Sequence, residues 1–171
     1  MRGFQYQAEF ITPAEEASLL DAIGALPLKE AAYRQFTAKR RIVMFEPVPE
    51  FLAALRDKAG AWAAIPPENF VHALVTEYRP GTQLGWHRDS PEYGELAGIS
   101  LAGHCRMRLR PYPPTKGDRK DVLSLELEPR SAYSIRDEAR WGWQHSIAPT
   151  PTLRYSVTFR TLRNGIEERK K

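Results

Sequence analysis

The hydrophobic pattern changes along the chain from helical to strand periodicity. Thr12-Pro13-Ala14-Glu15-Glu16 predicts a helix start, because Thr is a favoured N-cap, Pro suits the first helical position and acids suit the first turn. Apolar residues then recur with helical spacing to about Ala25. A second stretch of this kind predicts a helix from Glu50 to Trp62.

The remaining apolar positions predict short β-strands separated by turns. These strands are Arg41 to Phe45, Asn69 to Tyr78, Ile99 to Leu101, Cys105 to Leu109, Val122 to Leu127, Ala132 to Ile135, His145 to Ile147 and Arg154 to Leu162. Pro80-Gly81 marks a turn, and Pro111 to Lys120 predicts an exposed hairpin loop. Helices followed by many short strands favour an all-β sandwich or jelly roll with a helical N-terminal layer.

The last predicted strand has two chemically different faces, because alternate side chains of a strand point the same way. One face carries Arg154, Ser156, Thr158 and Arg160. The other carries Tyr155, Val157 and Phe159. Two arginines and two hydroxyls suit a small dianion, although the two arginines, roughly 20 Å apart on an extended strand, cannot both grip one end of it. Taken alone, the strand is more simply an edge strand with solvated polar residues.

His87-Arg88-Asp89 is the strongest chemical signal. On an extended strand His87 and Asp89 project to the same face, and imidazole with carboxylate suits a divalent ion such as Fe(II) that keeps open positions. The candidates for a third ligand are His72, His104 and His145. His145 is favoured because it shortly precedes the arginine-bearing strand. Zinc hydrolysis stays an alternative for such a ligand set, but it leaves the two arginines unexplained.

Composition and charge set broad limits on the class of protein. The chain has 171 residues, 42% hydrophobic and 27% charged, which predicts one soluble globular domain. No apolar run approaches the roughly 20 residues of a membrane span, and the N-terminus lacks a signal-peptide core, so cytoplasm is the expected location. Cys105 is the lone cysteine and excludes an internal disulfide. The net charge of +4 permits a polyanionic partner without establishing one.

Three stretches together resemble the AlkB-type Fe(II)- and 2-oxoglutarate-dependent dioxygenases. The first runs from Tyr78-Arg79-Pro80-Gly81 through Leu84-Gly85-Trp86-His87-Arg88-Asp89 to Ile99-Ser100-Leu101. The second is Arg140-Trp141-Gly142-Trp143-Gln144-His145-Ser146-Ile147, and the third is Arg154-Tyr155-Ser156-Val157-Thr158-Phe159-Arg160. The resemblance covers roughly residues 70–163.

The resemblance implies a mainly β fold, a double-stranded β-helix or jelly roll with N-terminal helices. It implies a single dioxygenase domain, with a helical layer and possible lid over residues 1–68 and a catalytic core over 69–163. The cofactors it implies are Fe(II), 2-oxoglutarate and molecular oxygen. The implied iron ligands are His87, Asp89 and His145. The implied 2-oxoglutarate residues are Tyr78, Thr76, Arg154, Ser156, Thr158 and Arg160, with Arg154 on the distal carboxylate and Arg160 nearer the metal.

Two departures from the family pattern concern cosubstrate and substrate. Many members carry Asn where this chain has Thr76, which offers a hydroxyl in place of an amide. Some nucleic-acid repair members carry a second acid just after the His-x-Asp. Glu92 is the nearest acid here, in a register that the sequence leaves open.

Three substrate hypotheses remain open at this stage. The first is oxidative demethylation of alkylated bases in DNA or RNA, with single-stranded substrates favoured. In this hypothesis Lys39, Arg40 and Arg41, with Tyr33 and Phe36 nearby, form a lid over the substrate. The second is an AlkB-like dioxygenase acting on a protein side chain or small molecule. The third is a non-enzymatic β-sandwich with structural histidines. Arg106, Arg108 and Arg110 alternate on one strand face, which favours a solvated face over a phosphate-binding one.

Overall fold

The computed structural model describes residues 1–33, 36–115 and 118–163, of which residues 32, 33, 36–39, 118 and 119 are described in their backbone only. The α-helices of these ranges are α1 Pro13–Gly24, α2 Ala53–Ala63 and α3 Asp137–Trp141. The strands are β1 Phe4–Gln7, β2 Lys29–Tyr33, β3 Phe36–Phe45, β4 Phe70–Tyr78, β5 Leu84–His87, β6 Tyr93–Leu101, β7 Cys105–Pro111, β8 Leu123–Leu127, β9 Ala132–Ile135, β10 Trp143–Ile147 and β11 Arg154–Leu162.

The strands form two antiparallel sheets that face each other as a double-stranded β-helix. The larger sheet has the order β1-β9-β6-β11-β4-β3-β2, and the smaller has the order β5-β10-β7-β8. β11 lies near the middle of the larger sheet, between β4 and β6. None of the helices in the described ranges is long and apolar enough to span a bilayer.

Two hydrophobic cores lie on opposite sides of the larger sheet. The outer core packs the helices against the sheet and includes Ile23, Leu52, Val75, Val157 and Phe159, all fully buried. The inner core fills one end of the space between the sheets. Its members include Tyr78, Met107, Leu109, Tyr133 and Ile147. The alternation predicted for the last strand is confirmed, because its apolar residues face the helices and its polar residues face the other sheet.

The N-terminal region differs from the expected helical layer. Besides α1 and α2 it supplies β1, which pairs with β9, and the β2–β3 hairpin, which pairs with β4. β3 begins at Phe36, five residues before the predicted strand start at Arg41. These strands carry little local signal, because β1 and β2 are polar edge strands and β1 pairs with β9, which is distant in sequence.

The predicted helix start at Thr12 is confirmed. The amide of Glu15 donates to Thr12 Oγ1 and the amide of Thr12 donates to Glu15 Oε1, both at 3.1 Å, which is a complete capping box. The pair satisfies two amide groups that helix geometry would otherwise leave unpaired.

Thr12→Ala should lower the free energy of unfolding by about 1 kcal/mol, the usual effect of losing a side-chain cap. Thr12→Ser is the matched control, because it keeps the hydroxyl acceptor. Chemical denaturation followed by circular dichroism measures both. Equal stability of Thr12→Ala and Thr12→Ser would show that the cap contributes nothing to the fold.

Candidate active site

Three side chains that can bind a metal converge where the smaller sheet faces the larger one. His87 ends β5, Asp89 follows two residues later, and His145 lies in the middle of β10 directly opposite His87. The Nε2 atoms of His87 and His145 lie 3.6 and 3.7 Å from Asp89 Oδ1. One potential ligand atom from each residue lies within 4.8 Å of the others. A single ion could therefore contact all three, and His104, which is exposed, lies outside this group.

The ring orientations leave the Nε2 atoms available for a metal. His87 Nδ1 is 2.8 Å from the carbonyl oxygen of Gly85, which can only accept, so this nitrogen carries the proton and Nε2 keeps its lone pair. Burial, reinforced by the neighbouring His87, lowers the pKa of His145 to about 3. His145 is therefore neutral near pH 7, the form that binds metals.

Asp89 is held as a carboxylate by Arg160. The guanidinium Nε of Arg160 donates to Asp89 Oδ2 at 2.6 Å, while Oδ1 faces the two imidazoles. Burial tends to raise the pKa of Asp89, but the charge of Arg160 and the surrounding hydrogen bonds outweigh it and hold that pKa well below its usual range. The resemblance implied that Arg160 lies nearer the metal. In the structure Arg160 pairs with Asp89, the acidic member of the metal-binding group.

A buried arginine also fixes the loop that follows Asp89. Arg140 is 3% exposed and donates to the carbonyl oxygens of Asp89, Ser90, Tyr93 and Gly94. Four bonds from one guanidinium hold the turn between β5 and β6 in one shape. The position of Asp89 is therefore set by arginines from both β11 and α3.

The metal-binding group opens into a cavity of about 810 Å³ between the sheets. Arg154 lies in its wall, only 1% exposed, with Nε donating to Ser100 Oγ at 2.8 Å and Cζ 5.0 Å from the ring centroid of Tyr78. In the described part of the chain no carboxylate lies within ion-pair distance of Arg154. A buried guanidinium without a counter-charge is costly, so this end of the cavity is built for an anion.

The other residues predicted for the cosubstrate share this wall. Thr76, Ser156 and Thr158 are buried and line the cavity with Tyr78. Burial raises the pKa of Tyr78, although the charge of Arg154 opposes the effect. The phenol therefore remains a hydroxyl that can donate a hydrogen bond.

The residues predicted for substrate binding are separated by the structure. Arg40 and Glu92 line the cavity. Arg41 points to the opposite face of β3, where its Nε and Nη2 donate to Glu77 at 2.7 and 2.8 Å, so its charge is already compensated. The side chain of Lys39 lies outside the described residues, as do those of Tyr33 and Phe36. Arg40 and Arg41 therefore do not act as one group in this structure.

Two residues near Arg154 were not predicted from the sequence. Tyr133 on β9 lines the cavity, and Ser100 on β6 accepts a hydrogen bond from Arg154. Ser100 belongs to the Ile99-Ser100-Leu101 stretch of the family resemblance. It lies beside Arg154 because it is paired with Ser156 across β6 and β11. Tyr133 had no local signal, because only the pairing of β9 with β6 turns it inward.

His72, a candidate third ligand from the sequence, lines the cavity but lies outside the His87, Asp89 and His145 group. It is 3% exposed, and its ring contacts the ring of Tyr93 in a tilted arrangement, with centroids 4.8 Å apart and planes inclined by 34°. Neither of its ring nitrogens has a hydrogen-bond partner among the described residues. Burial and the charge of Arg160 lower the pKa of His72 to about 4, although Asp89 opposes them.

The sequence matches one protein family over most of its length. Residues 5–160 match the 2OG-Fe(II) oxygenase superfamily. The chain is 27% identical to "Uncharacterized protein L905" of Acanthamoeba polyphaga mimivirus, over 95% of this chain and 86% of that protein. It is 24% identical to "Probable RNA/DNA demethylase ALKBH6" of Danio rerio, over 83% of this chain and 68% of that protein. It is 27% identical to "Alkylated DNA repair protein ALKBH8 homolog" of Arabidopsis thaliana, over 81% of this chain and 49% of that protein.

Solved structures confirm the fold. The structure of OsALKBH1 superposes with a TM-score of 0.74 at 14% identity, covering 94% of this chain and 99% of that one. A prolyl-4-hydroxylase from Pseudomonas putida superposes with a TM-score of 0.65 at 17% identity, covering 94% and 93%. Both are similar in architecture at low sequence identity.

The fold and the family match define a dioxygenase that uses Fe(II), 2-oxoglutarate and molecular oxygen. The chain belongs to the 2OG-Fe(II) oxygenase superfamily and is an AlkB-type member of it.

The low pKa of His72 makes a prediction about stability in the metal-free protein. The unfolded chain protonates His72 near pH 6.5 and the folded chain only near pH 4. Between these values the unfolded state binds more protons, so stability falls as pH falls. His72→Gln should remove up to one proton from the difference in protons bound by the two states. The slope of unfolding free energy against pH should then fall by up to about 1.4 kcal/mol per pH unit.

Denaturation midpoints from pH 4 to 7 in the presence of a chelator measure the slope. His104→Gln is the matched control, because it makes the same substitution at an exposed histidine. If His72→Gln and the wild type have equal slopes, His72 titrates alike in the folded and unfolded chains.

Proposed function

We propose that this oxygenase demethylates alkylated bases in DNA or RNA, taking them from single strands. The observation that carries the proposal is the cavity itself, in which an uncompensated buried arginine and a His-Asp-His group line the same space. Two relatives at 24% and 27% identity bear the names of an RNA/DNA demethylase and an alkylated-DNA repair protein, which supports nucleic acid as the substrate class.

We assign His87, Asp89 and His145 as the residues that would hold Fe(II). Two imidazoles and one carboxylate are the donor set of oxygenases of this kind, and such a set leaves positions for cosubstrate and oxygen. Arg160 would fix Asp89 so that Oδ1 remains directed at the metal while Oδ2 stays hydrogen-bonded. Hydrogen bonds to Gly85 and Arg160 thus explain the orientations of His87 and Asp89.

We assign Arg154 to the distal carboxylate of 2-oxoglutarate. Ser100 and the ring of Tyr78 hold the guanidinium in position, and 2-oxoglutarate would supply the counter-charge that the described residues lack. Thr76, Ser156 and Thr158 would add hydroxyl donors along the wall between Arg154 and Arg160. Ordered donors that need no rearrangement favour binding of a dianion over water.

With 2-oxoglutarate and oxygen, the iron supplies oxidation of a C–H bond, and the products are succinate, carbon dioxide and a hydroxylated carbon. On an N-methyl group the hydroxymethyl product releases formaldehyde and leaves the N–H base. The chain's own contribution is positional. Met107, Tyr133 and Ile147 exclude water from the cosubstrate end, and Arg140 keeps the loop after Asp89 from moving.

The outer end of the cavity suits a flat, polar group. Tyr93 and His72 offer two rings in contact with each other, Arg40 and Glu92 offer a cation and an acceptor, and Met44 is exposed at the rim. An extrahelical base needs this combination of ring contacts and edge hydrogen bonds. Glu92 fits the role of the second acid found in repair members.

The function is tested by incubating the Fe(II)-loaded enzyme with 2-oxoglutarate and a panel of methylated single- and double-stranded oligonucleotides. Succinate and formaldehyde should be released together, in equal amounts, with at least one single-stranded member of the panel. Release of neither above the substrate-free rate on every oligonucleotide, with turnover on a methylated peptide or small molecule, would contradict the nucleic-acid assignment.

Iron binding should depend on His145. His145→Ala should lower the iron content of the protein and abolish turnover, because two ligands cannot replace three around one ion. His104→Ala is the matched control and should keep both at wild-type values. Metal analysis after dialysis and circular dichroism separate loss of iron from loss of fold. Full iron occupancy in His145→Ala would move the third ligand to another residue.

Arg154 should dominate the affinity for 2-oxoglutarate. Breaking a buried charge pair costs about 3–5 kcal/mol, so Arg154→Ala should raise the apparent constant for 2-oxoglutarate by roughly two to three orders of magnitude. Arg154→Lys should recover only part, because an ammonium lacks the planar fork. Titration of 2-oxoglutarate with the iron-loaded protein measures this. A near-normal constant for Arg154→Ala would place the distal carboxylate elsewhere.

A further inference from the structure

The outward face of the smaller sheet carries three arginines on β7 that the structure shows to be unequal. Arg106, Arg108 and Arg110 alternate with the buried residues Cys105, Met107 and Leu109. Arg106 donates from Nε to Glu126 Oε1 at 2.8 Å, so its charge is compensated by its neighbour on β8. From sequence all three formed one solvated face.

Arg108 and Arg110 have neutral partners instead. Arg108 Nε donates to Ser146 Oγ at 3.2 Å, and Arg110 Nε donates to Gln144 Oε1 at 3.0 Å. Both partners lie on β10 in register with the arginines. Among the described residues, no carboxylate lies within 4.0 Å of either guanidinium. Two adjacent positive charges are therefore fixed in place without an acidic partner in the described part of the chain.

A tryptophan holds the two guanidinium groups in position. The Cζ atoms of Arg110 and Arg108 lie 4.3 and 5.2 Å from the ring centroid of Trp86 on β5. Cation–π contact and a neutral hydrogen bond restrict both side chains without neutralising them. Because both side chains are already restricted, they lose less conformational freedom when an anion binds. This preorganisation favours binding of a phosphate group.

This face is continuous with the rim of the cavity. Trp86 immediately precedes His87, and Trp86 and Arg88 both belong to the cavity lining. Arg88 lies with its Cζ 3.7 Å from the Tyr112 ring centroid and donates from Nη1 to the carbonyl oxygen of Trp141, without an acidic partner among the described residues. Two strand spacings separate β5 from β7, about 10 Å. A chain leaving the cavity can therefore reach all three uncompensated arginines.

We propose that Arg88, Arg108 and Arg110, with Trp86 and Tyr112, form an arginine track that binds the backbone of a single-stranded nucleic acid while one of its bases occupies the cavity. The proposal rests on the proposed function and adds the path of the strand outside the cavity. Guanidinium groups match phosphate oxygens by bidentate hydrogen bonds. The exposed ring of Tyr112 adds a surface on which an unpaired base can stack.

Charge-matched single substitutions on one strand face test the track. Arg108→Gln and Arg110→Gln each remove an uncompensated charge, and Arg106→Gln removes a compensated one, with the same change in net charge. Binding of a fluorescent methylated 12-nucleotide single strand is measured at several salt concentrations with the Fe(II)- and 2-oxoglutarate-loaded enzyme under anaerobic conditions. Arg108→Gln and Arg110→Gln should each flatten the plot of log K against log salt by about 0.7, whereas Arg106→Gln should not.

The double substitution of Arg108 and Arg110 by Gln should flatten the slope by about 1.4 and weaken binding at least tenfold at low salt. The double Lys variant keeps both charges and should keep most of the slope, which separates loss of charge from misfolding. If Arg108→Gln and Arg110→Gln behave like Arg106→Gln, the track is wrong even though the enzyme acts on oligonucleotides. Displacement of the strand by an acidic peptide at equal charge concentration would also overturn it.

Failure of the proposed function gives a different result from failure of the arginine track alone. If the wild-type enzyme neither binds nor turns over any methylated strand, the proposed function fails, and the track fails with it. If the wild type binds and turns over a strand with a salt slope that the Gln variants reduce, both stand.

Discussion

The strict alternation of β11 joins the fold to the site, because this central strand has to satisfy two environments at once. Val157 and Phe159 are fully buried against the helices, while Arg154 and Arg160 face the opposite sheet. A shift of one residue in its pairing with β4 would turn both arginines into the apolar core and expose the apolar residues to the cavity. The hydrophobic cost of that shift holds the cavity wall in register.

The two arginines of β11 divide the site into two electrostatic ends. Arg160 is paired with Asp89, and this pairing keeps the carboxylate ionised and oriented for a metal. Arg154 is more deeply buried than Arg160, but its described partners are a hydroxyl and an aromatic ring. A buried ion pair contributes little to stability, and an unpaired buried charge opposes it. The arrangement is therefore better explained by ligand binding than by stability of the fold.

Much of this could be predicted from the sequence, because the signals were local. Helix caps, the two faces of β11 and the spacing of His87 and Asp89 all depend on neighbours in the chain. The basic segment before β4 could not be resolved in this way. Arg40 and Arg41 are adjacent, so they point to opposite faces of β3, and only the pairing of β3 with β4 shows that Glu77 neutralises Arg41. Ser100 and Tyr133 likewise depend on strands that are distant in sequence.

The three arginines of β7 are likewise indistinguishable by spacing and residue type. Their difference arises across the strand, where β8 places an acid beside Arg106 and β10 places an amide and a hydroxyl beside Arg110 and Arg108. Charge counting treats all three as one basic patch. Their uncompensated charge, which is what an anion responds to, depends on the cross-strand partner. The sequence shows which charges share a face, and the register of the sheets determines which of them remain available to a ligand.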